Sequence, residues 1–252
     1  MNFFEISKNI IQEYYIWILK GVGYTLLVSL IGTILGLIIG LLIGTYRSMH
    51  RPRNKFLRVL KKIGDWILTA YVEIFRGTPM MVQAMVIFYG AAAITGVTLN
   101  RIVAGIVIVS INTGAYMSEI VRGGITSIDK GQFEGAQAIG MTHWQTMRCV
   151  VIPQVIRNIL PATGNEFVIN IKDTSVLNVI SVTELYFQSK SAAGAYFRYF
   201  ETFLITSVIY FVLTFTVTRI LRMIERKLDG ADNYELNGSE DDGDFVVAKE
   251  GN

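Results

Sequence analysis

The chain has 252 residues, 52% of them hydrophobic and only 17% charged, with a mean hydropathy of +0.44; this is a membrane-protein composition and excludes a soluble globular domain. A single cysteine, Cys149, excludes an intrachain disulfide framework, and two widely separated histidines, His50 and His143, read as surface residues of basic loops and give no metal cluster. The net charge of +3 hides an acidic C-terminal end, where residues 229–252 carry eight acids against Lys249, so the basic excess belongs to the rest of the chain and suits anionic lipid headgroups better than nucleic acid.

Residues 1–20 are rich in aromatics (Phe3, Phe4, Tyr14, Tyr15, Trp17) and read as an interfacial, extracytoplasmic N-terminus without the basic start and cleavage site of a signal peptide. The first span is predicted over residues 21–46: residues 21–45 hold no charge, and at about 1.5 Å per residue they exceed a hydrocarbon core of roughly 30 Å. Gly32, Gly36, Gly40 and Gly44 form a small-residue ridge, which predicts close packing against another span or a partner subunit. Seven Lys or Arg between Tyr46 and Lys62 place the following loop in the cytoplasm.

A second span is predicted over 66–96, with a break or kink near Thr78 because Pro79 removes a backbone donor and disfavours helix before it. The third span covers 100–120. Residues 122–154 form a polar cytoplasmic loop, in which Asp129 and Gln132 make a capping-box pattern and Gly140 a helix stop, and Thr142 with Gln145 starts a second helix. The first of these helices carries Gly131, Gly135, Ala136 and Ala138, whose small side chains would let a partner approach its backbone; the alternative is an ordinary helical hairpin. A fourth span over 155–182 is the least hydrophobic, and a fifth covers 199–219.

Fifteen Lys and Arg fall in the segments assigned inside and five outside, so the N-terminus is expected outside and the C-terminus, with an acidic and disordered tail over 229–252, in the cytoplasm. The fold class is therefore all-α, with five transmembrane helices in a membrane domain over 21–228.

Charged groups within a membrane cost about 2.5–3.5 kcal/mol each on insertion scales, so each needs a reason. Glu166, Asn170 and Asp173 stand at i, i+4 and i+7 on one helical face. They read either as the lining of a substrate path, with Lys172 beside them, or as an internal network in which Glu166 or Asp173 pairs with Lys172 or Arg76. Glu73 with Arg76, and Glu119 with Arg122, are spaced for structural ion pairs along one helix. No glycine is followed by lysine, so the phosphate-cradling loop of nucleotide-binding domains is absent, and no nucleophile–base set or pair of catalytic carboxylates stands out. The chain is expected to be no enzyme.

Glu134-Gly135-Ala136, then Gly140, then Ile152-Pro153 resemble the Glu-Ala-Ala loop of ABC-importer permeases. Residues 73–79 (EIFRGTP), 116–124 (YMSEIVRGG), 164–167 (GNEF) and 172–175 (KDTS) resemble the branch that imports polar amino acids, in the family's order over roughly residues 15 to 225. Gly135 departs from the pattern in place of the first Ala, which loosens the helix by about 1 kcal/mol and keeps its surface small. The resemblance implies a type I ABC importer permease whose 129–140 helix, through Gln132, Phe133, Glu134, Gly135, Ala136, Ala138 and Gly140, couples to an ATPase. It further implies two ABC ATPase subunits carrying ATP and Mg, with no cofactor on this chain, a second permease chain, identical or paralogous, an extracytoplasmic solute-binding protein, and a location in the plasma or inner membrane. The competing class is a secondary transporter or channel subunit not driven by ATP.

Overall fold

The computed structural model describes residues 3–49, 52 and 54–229; His50 and the acidic tail beyond Asp229 lie outside them. These described residues are helical with short connections. They form α1 (Phe3–Ser48), α2 (Lys55–Gly77), α3 (Met80–Thr95), α4 (Arg101–Thr126), α5 (Lys130–Ala138), α6 (His143–Thr146), α7 (Ile152–Asp173), α8 (Leu185–Tyr196) and α9 (Tyr199–Asp229). A π turn (Met147–Val151) joins α6 to α7, and a 3₁₀ segment (Thr174–Ile180) follows α7.

The interfacial N-terminus and the first span are one helix. Its 46 residues reach about 69 Å, more than twice a hydrocarbon core, so the part before Gly21 continues beyond the membrane-crossing stretch. Among the described residues, helices α1, α4 and α9 are long and apolar enough to cross a membrane, and α2 with α3, bent by 115° at the break between them, is so only as a pair, as a broken span or a re-entrant loop. The predicted kink near Thr78 is thus a sharp break. The fourth expected span, α7, is less apolar than these, because Gln154, Arg157, Asn158, Asn165 and Glu166 interrupt it and Lys172 and Asp173 end it; it nonetheless packs against α1, α4 and α9.

The glycine ridge of α1 meets α4. A Cβ built on Gly32, Gly36, Gly40 or Gly44 would fall 2.5, 2.7, 2.3 and 2.7 Å from Val109, Thr113, Met117 and Val121 in turn. Such closeness is what small residues give helices in lipid, where apolar burial drives little association and packing must do it. Polar ties add to the packing at three levels of α1. Near the ridge, Asn170 Nδ2 donates to Thr33 Oγ1 at 2.8 Å and to Thr113 Oγ1 at 2.9 Å, joining α1, α4 and α7. At one end, Arg47 donates to Glu119 of α4 and, at 3.4 Å, to Thr69 of α2. In its middle, Thr25 Oγ1 accepts from the backbone N–H of Leu185 at 3.1 Å, beside the fully buried Glu184, which caps α8 by accepting from the backbone N–H groups of Tyr186 at 2.9 Å and Phe187 at 2.7 Å. Tyr210 of α9 donates its hydroxyl to the same carboxylate at 3.0 Å.

Two apolar clusters complete the core. Val28, Phe88, Ile108, Leu177 and Ile180 belong to one, beside the ends of α3 and the 3₁₀ segment. Val121, Ile125, Ile128, Met147, Val151 and Val155 belong to the other, which underlies the polar loop.

Candidate functional site

The loop helix α5 forms where the capping pattern places it, with different side-chain partners. Asp129 is its N-cap and accepts from Gly131 N at 2.6 Å. Gln132 does not close the box; its Oε1 accepts from Gln154 Nε2 at 3.3 Å, across to the first turn of α7. Gly140 follows with φ +79, a backbone that favours glycine. The second helix does start at Thr142 with Gln145, and there a capping box forms, with Gln145 answering the cap residue's backbone N–H at 2.8 Å.

The surface of α5 divides into two faces. Phe133 packs against the lower apolar cluster, and Ala136 is only 5% exposed. Ala136 is therefore turned into the chain, which corrects its place among the small residues offered to a partner. Gln132, Glu134, Gly135, Ala138 and Gly140 are exposed, and no side chain stands within 4 Å of where a Cβ on Gly135 would be. Ile139, next to Gly140, is 77% exposed. The outward face thus sets the small Gly135, Ala138 and Gly140 among the polar Gln132, Glu134 and Gln137, with one large apolar residue, Ile139, at its end.

Along α7 the structure separates the residues that spacing had put together. Glu166 is half-buried, Asp173 and Lys172 are exposed, and Asn170 is buried in its bonds to Thr33 and Thr113. Asn170 is a packing residue and does not line an open face; its neighbours at i+3 and i−4 look outward because a buried amide needs only part of the helix circumference. Glu166 lies within electrostatic reach of Asp173 on its own helix and of Arg76 on α2, and Asp173 within reach of Lys172. Among the described residues none of these four makes an ion pair within 4.0 Å.

The two expected helix pairs differ in outcome. Glu119 and Arg122 pair at 2.7 Å, and Arg47 joins them from α1. Glu73 and Arg76 do not pair among the described residues: both are exposed, and the Arg76 guanidinium lies 5.4 Å from the centroid of the Tyr116 ring on α4. A ring face attracts a guanidinium, and in a partly desolvated place it competes with a carboxylate that can stay solvated.

Sequence reasoning missed Glu184, Gln83, Asn112 and Arg47. A charged residue inside the apolar run 176–187 was a visible signal for Glu184. For Gln83 and Asn112 the signal was amides within spans, which carry no charge and draw less notice.

The inner-membrane family model described as "Binding-protein-dependent transport system inner membrane component" matches residues 32–230. The chain belongs to this family. It is a permease subunit of the ABC-importer type and a component of transport across the inner membrane. It is 36% identical over 167 residues to the arginine transport system permease protein ArtQ of Bacillus subtilis (strain 168), covering 66% of this chain and 76% of that one. With the glutamine transport system permease protein GlnP of Escherichia coli (strain K12) it shares 37% identity over 173 residues, 67% of this chain and 79% of that one. The solved structure of an amino acid ABC transporter with histidines superposes with a TM-score of 0.74 at 33% identity, covering 90% of this permease and 99% of the solved chain. An inward-facing form of the MetNI methionine ABC transporter, 18% identical with a TM-score of 0.65 over 82% and 95% of the two chains, shares the fold.

Proposed function

We propose that this permease carries polar amino acids inward at the expense of ATP hydrolysed on partner chains. The observation that carries the reading is the set Glu166, Asp173, Lys172 and Arg76: charged groups of both signs, unpaired by short contacts among the described residues, on α7 and at the break of α2. A zwitterion with a cationic or amide side chain needs carboxylates for its ammonium and a cation for its carboxylate, and this set offers both. The names of the relatives, arginine and glutamine permeases, point to the same substrate class.

The remaining parts of the assembly follow from this reading. Two ATPase subunits with ATP and Mg dock on the outward face of α5, one per permease chain, and the second permease is a copy or paralogue. α7 is the fourth of five spans, its charged face turned to the path between the two permeases. The N-terminus lies outside, where a solute-binding protein delivers the amino acid, and the C-terminus lies in the cytoplasm. Closure of the ATPase pair moves the α5 helices together, and the packed helices above them turn as rigid bodies to open the path outward.

Reconstitution of the permease with its co-encoded ATPase and binding protein tests the proposal. Uptake of radiolabelled arginine, histidine or glutamine into vesicles is expected only with ATP, and Glu166→Gln is expected to raise KM for a cationic amino acid by about tenfold while the ATPase stays bound. Uptake by the chain alone without ATP overturns the assignment. Unchanged kinetics for Glu166→Gln removes the carboxylate from the path.

A further inference from the structure

The break between α2 and α3 frees backbone carbonyls that a continuous helix would have satisfied, and in a membrane protein such groups are held by internal donors. Two amides supply the donors. Gln83, which is 6% exposed, reaches back from the first turn of α3 and donates from Nε2 to the carbonyl oxygens of Phe75 at 3.0 Å and Thr78 at 2.9 Å. Asn112 of α4 donates from Nδ2 to the same Phe75 carbonyl at 3.2 Å and to Gln83 Oε1 at 2.9 Å. The freed end of α2, the start of α3 and the middle of α4 are thus joined by a single amide bridge.

The bridge belongs to a seam along α2 and α4. One turn before it, the Tyr71 hydroxyl donates to the Ile111 carbonyl at 2.6 Å. Beside it, Arg76 follows Phe75 directly and lies over Tyr116, four residues on from Asn112. The broken helix therefore does not hang freely: its angle is set by α4, the helix that runs on to Thr126 just ahead of the α5 cap.

We infer that Gln83 and Asn112 are positioning residues of transport, which fix the broken helix on α4 and so hold the Arg76 guanidinium at the amino-acid path. The inference rests on the substrate reading given above. Neither amide needs to touch substrate. Their part is to keep a 115° bend in one conformation, since a broken helix with unsatisfied carbonyls would sample several angles and carry Arg76 with it.

The full chain with Cys149→Ser, in lipid nanodiscs, is spin-labelled at Ile63 on α2 and Ile94 on α3, which are 51% and 87% exposed. Distances between the labels report the bend whatever the transporter carries. Gln83→Leu keeps most of the volume and removes the donors; the expected result is a distance distribution broadened and displaced by several ångströms. In the assembled, reconstituted transporter the same variant is expected to raise KM for the amino acid by about tenfold with kcat changed by less than about twofold, the split that misplacement of a binding group produces. Where Gln83→Leu does not insert, Asn112→Asp serves: it keeps the shape and the acceptor oxygens but loses the bond donated to Phe75 and Gln83. A distribution unchanged in both variants overturns the inference, as does a changed distribution with unchanged KM. Failure of the substrate reading has a different signature, with Glu166→Gln leaving uptake unchanged while the label distances still respond to Gln83→Leu.

Discussion

The guanidinium of Arg76 lies over the ring of Tyr116, 5.4 Å from its centroid, and not against Glu73 one turn earlier on the same helix. The i, i+3 spacing permits the ion pair, but α2 ends at Gly77 and its last turn faces α4, so the long arginine side chain reaches the neighbouring helix. A cation in the last turn also complements the helix dipole at the break. Glu73, left exposed, carries no structural tie among the described residues.

Asn170 shows how polar glue holds the bundle. Replacing it by Leu, Asn170→Leu, removes the amide that serves the Thr33 and Thr113 hydroxyls and forces branched carbon into the contact of three helices. A loss of about 1–2 kcal/mol is expected, toward the upper end of interhelical hydrogen bonds in membranes. Thermal unfolding of the detergent-solubilised chain measures it. An unaltered melting temperature would show that the triad contributes nothing.

The α1–α4 contact makes a sharper test, because two glycines of the same helix have opposite surroundings. A Cβ on Gly40 would stand 2.3 Å from Met117 Cβ and 2.8 Å from its backbone carbonyl carbon, atoms that cannot give way without moving α4. Gly40→Ala should therefore destabilise by about 1–3 kcal/mol, as overpacking does. At Gly23 nothing stands within 4 Å, and Gly23→Ala should gain up to about 1 kcal/mol from helix propensity. Melting of the two variants side by side decides it: a similar shift for both would mean that the ridge is not a packing seam.

These features were unequally legible. The glycine ridge, the break at Pro79, the Glu119–Arg122 pair and the ends of α5 depend on short spacings or backbone chemistry, and the structure shows each of them. Which partner the ridge meets, and which way a residue of α5 or α7 points, depends on how helices distant in sequence are arranged. Asn170 and Asp173 share a helical face by spacing, yet one is buried between α1 and α4 and the other exposed, because only part of that face is covered. Ala136 is small in a row of small residues, and nothing local says that it is the one turned inward.

The topology expectation rests on the basic residues that flank α1 and α2. In a chain with Cys149→Ser, a cysteine at Lys8, on the exposed side of the α1 start, should react with a membrane-impermeant thiol reagent in intact cells. One at Lys55, at the start of α2, should react only after permeabilisation. Labelling of the Lys55 site in intact cells would reverse the orientation of every helix.

The division of α5 into two faces separates docking from stability, which a single bulky substitution on that helix cannot do. Ala136 is only 5% exposed, so a Trp there must displace the groups that cover it, and Ala136→Trp should lower the melting temperature of the permease itself, with or without a partner. Gly135→Trp places the same ring on the outward face, where no atom lies within 4 Å; the permease should insert and melt normally, while capture of the ATPase and substrate-stimulated ATP hydrolysis fall by at least about tenfold. Ala138→Trp, also outward, should behave like Gly135→Trp. Co-purification of the co-encoded ATPase, its hydrolysis rate in vesicles and the melting of the free permease are the three measurements. If Gly135→Trp and Ala138→Trp retain bound, stimulated ATPase, the ATPase docks elsewhere, and α5 is a structural hairpin braced on α7 through Gln132 and Gln154.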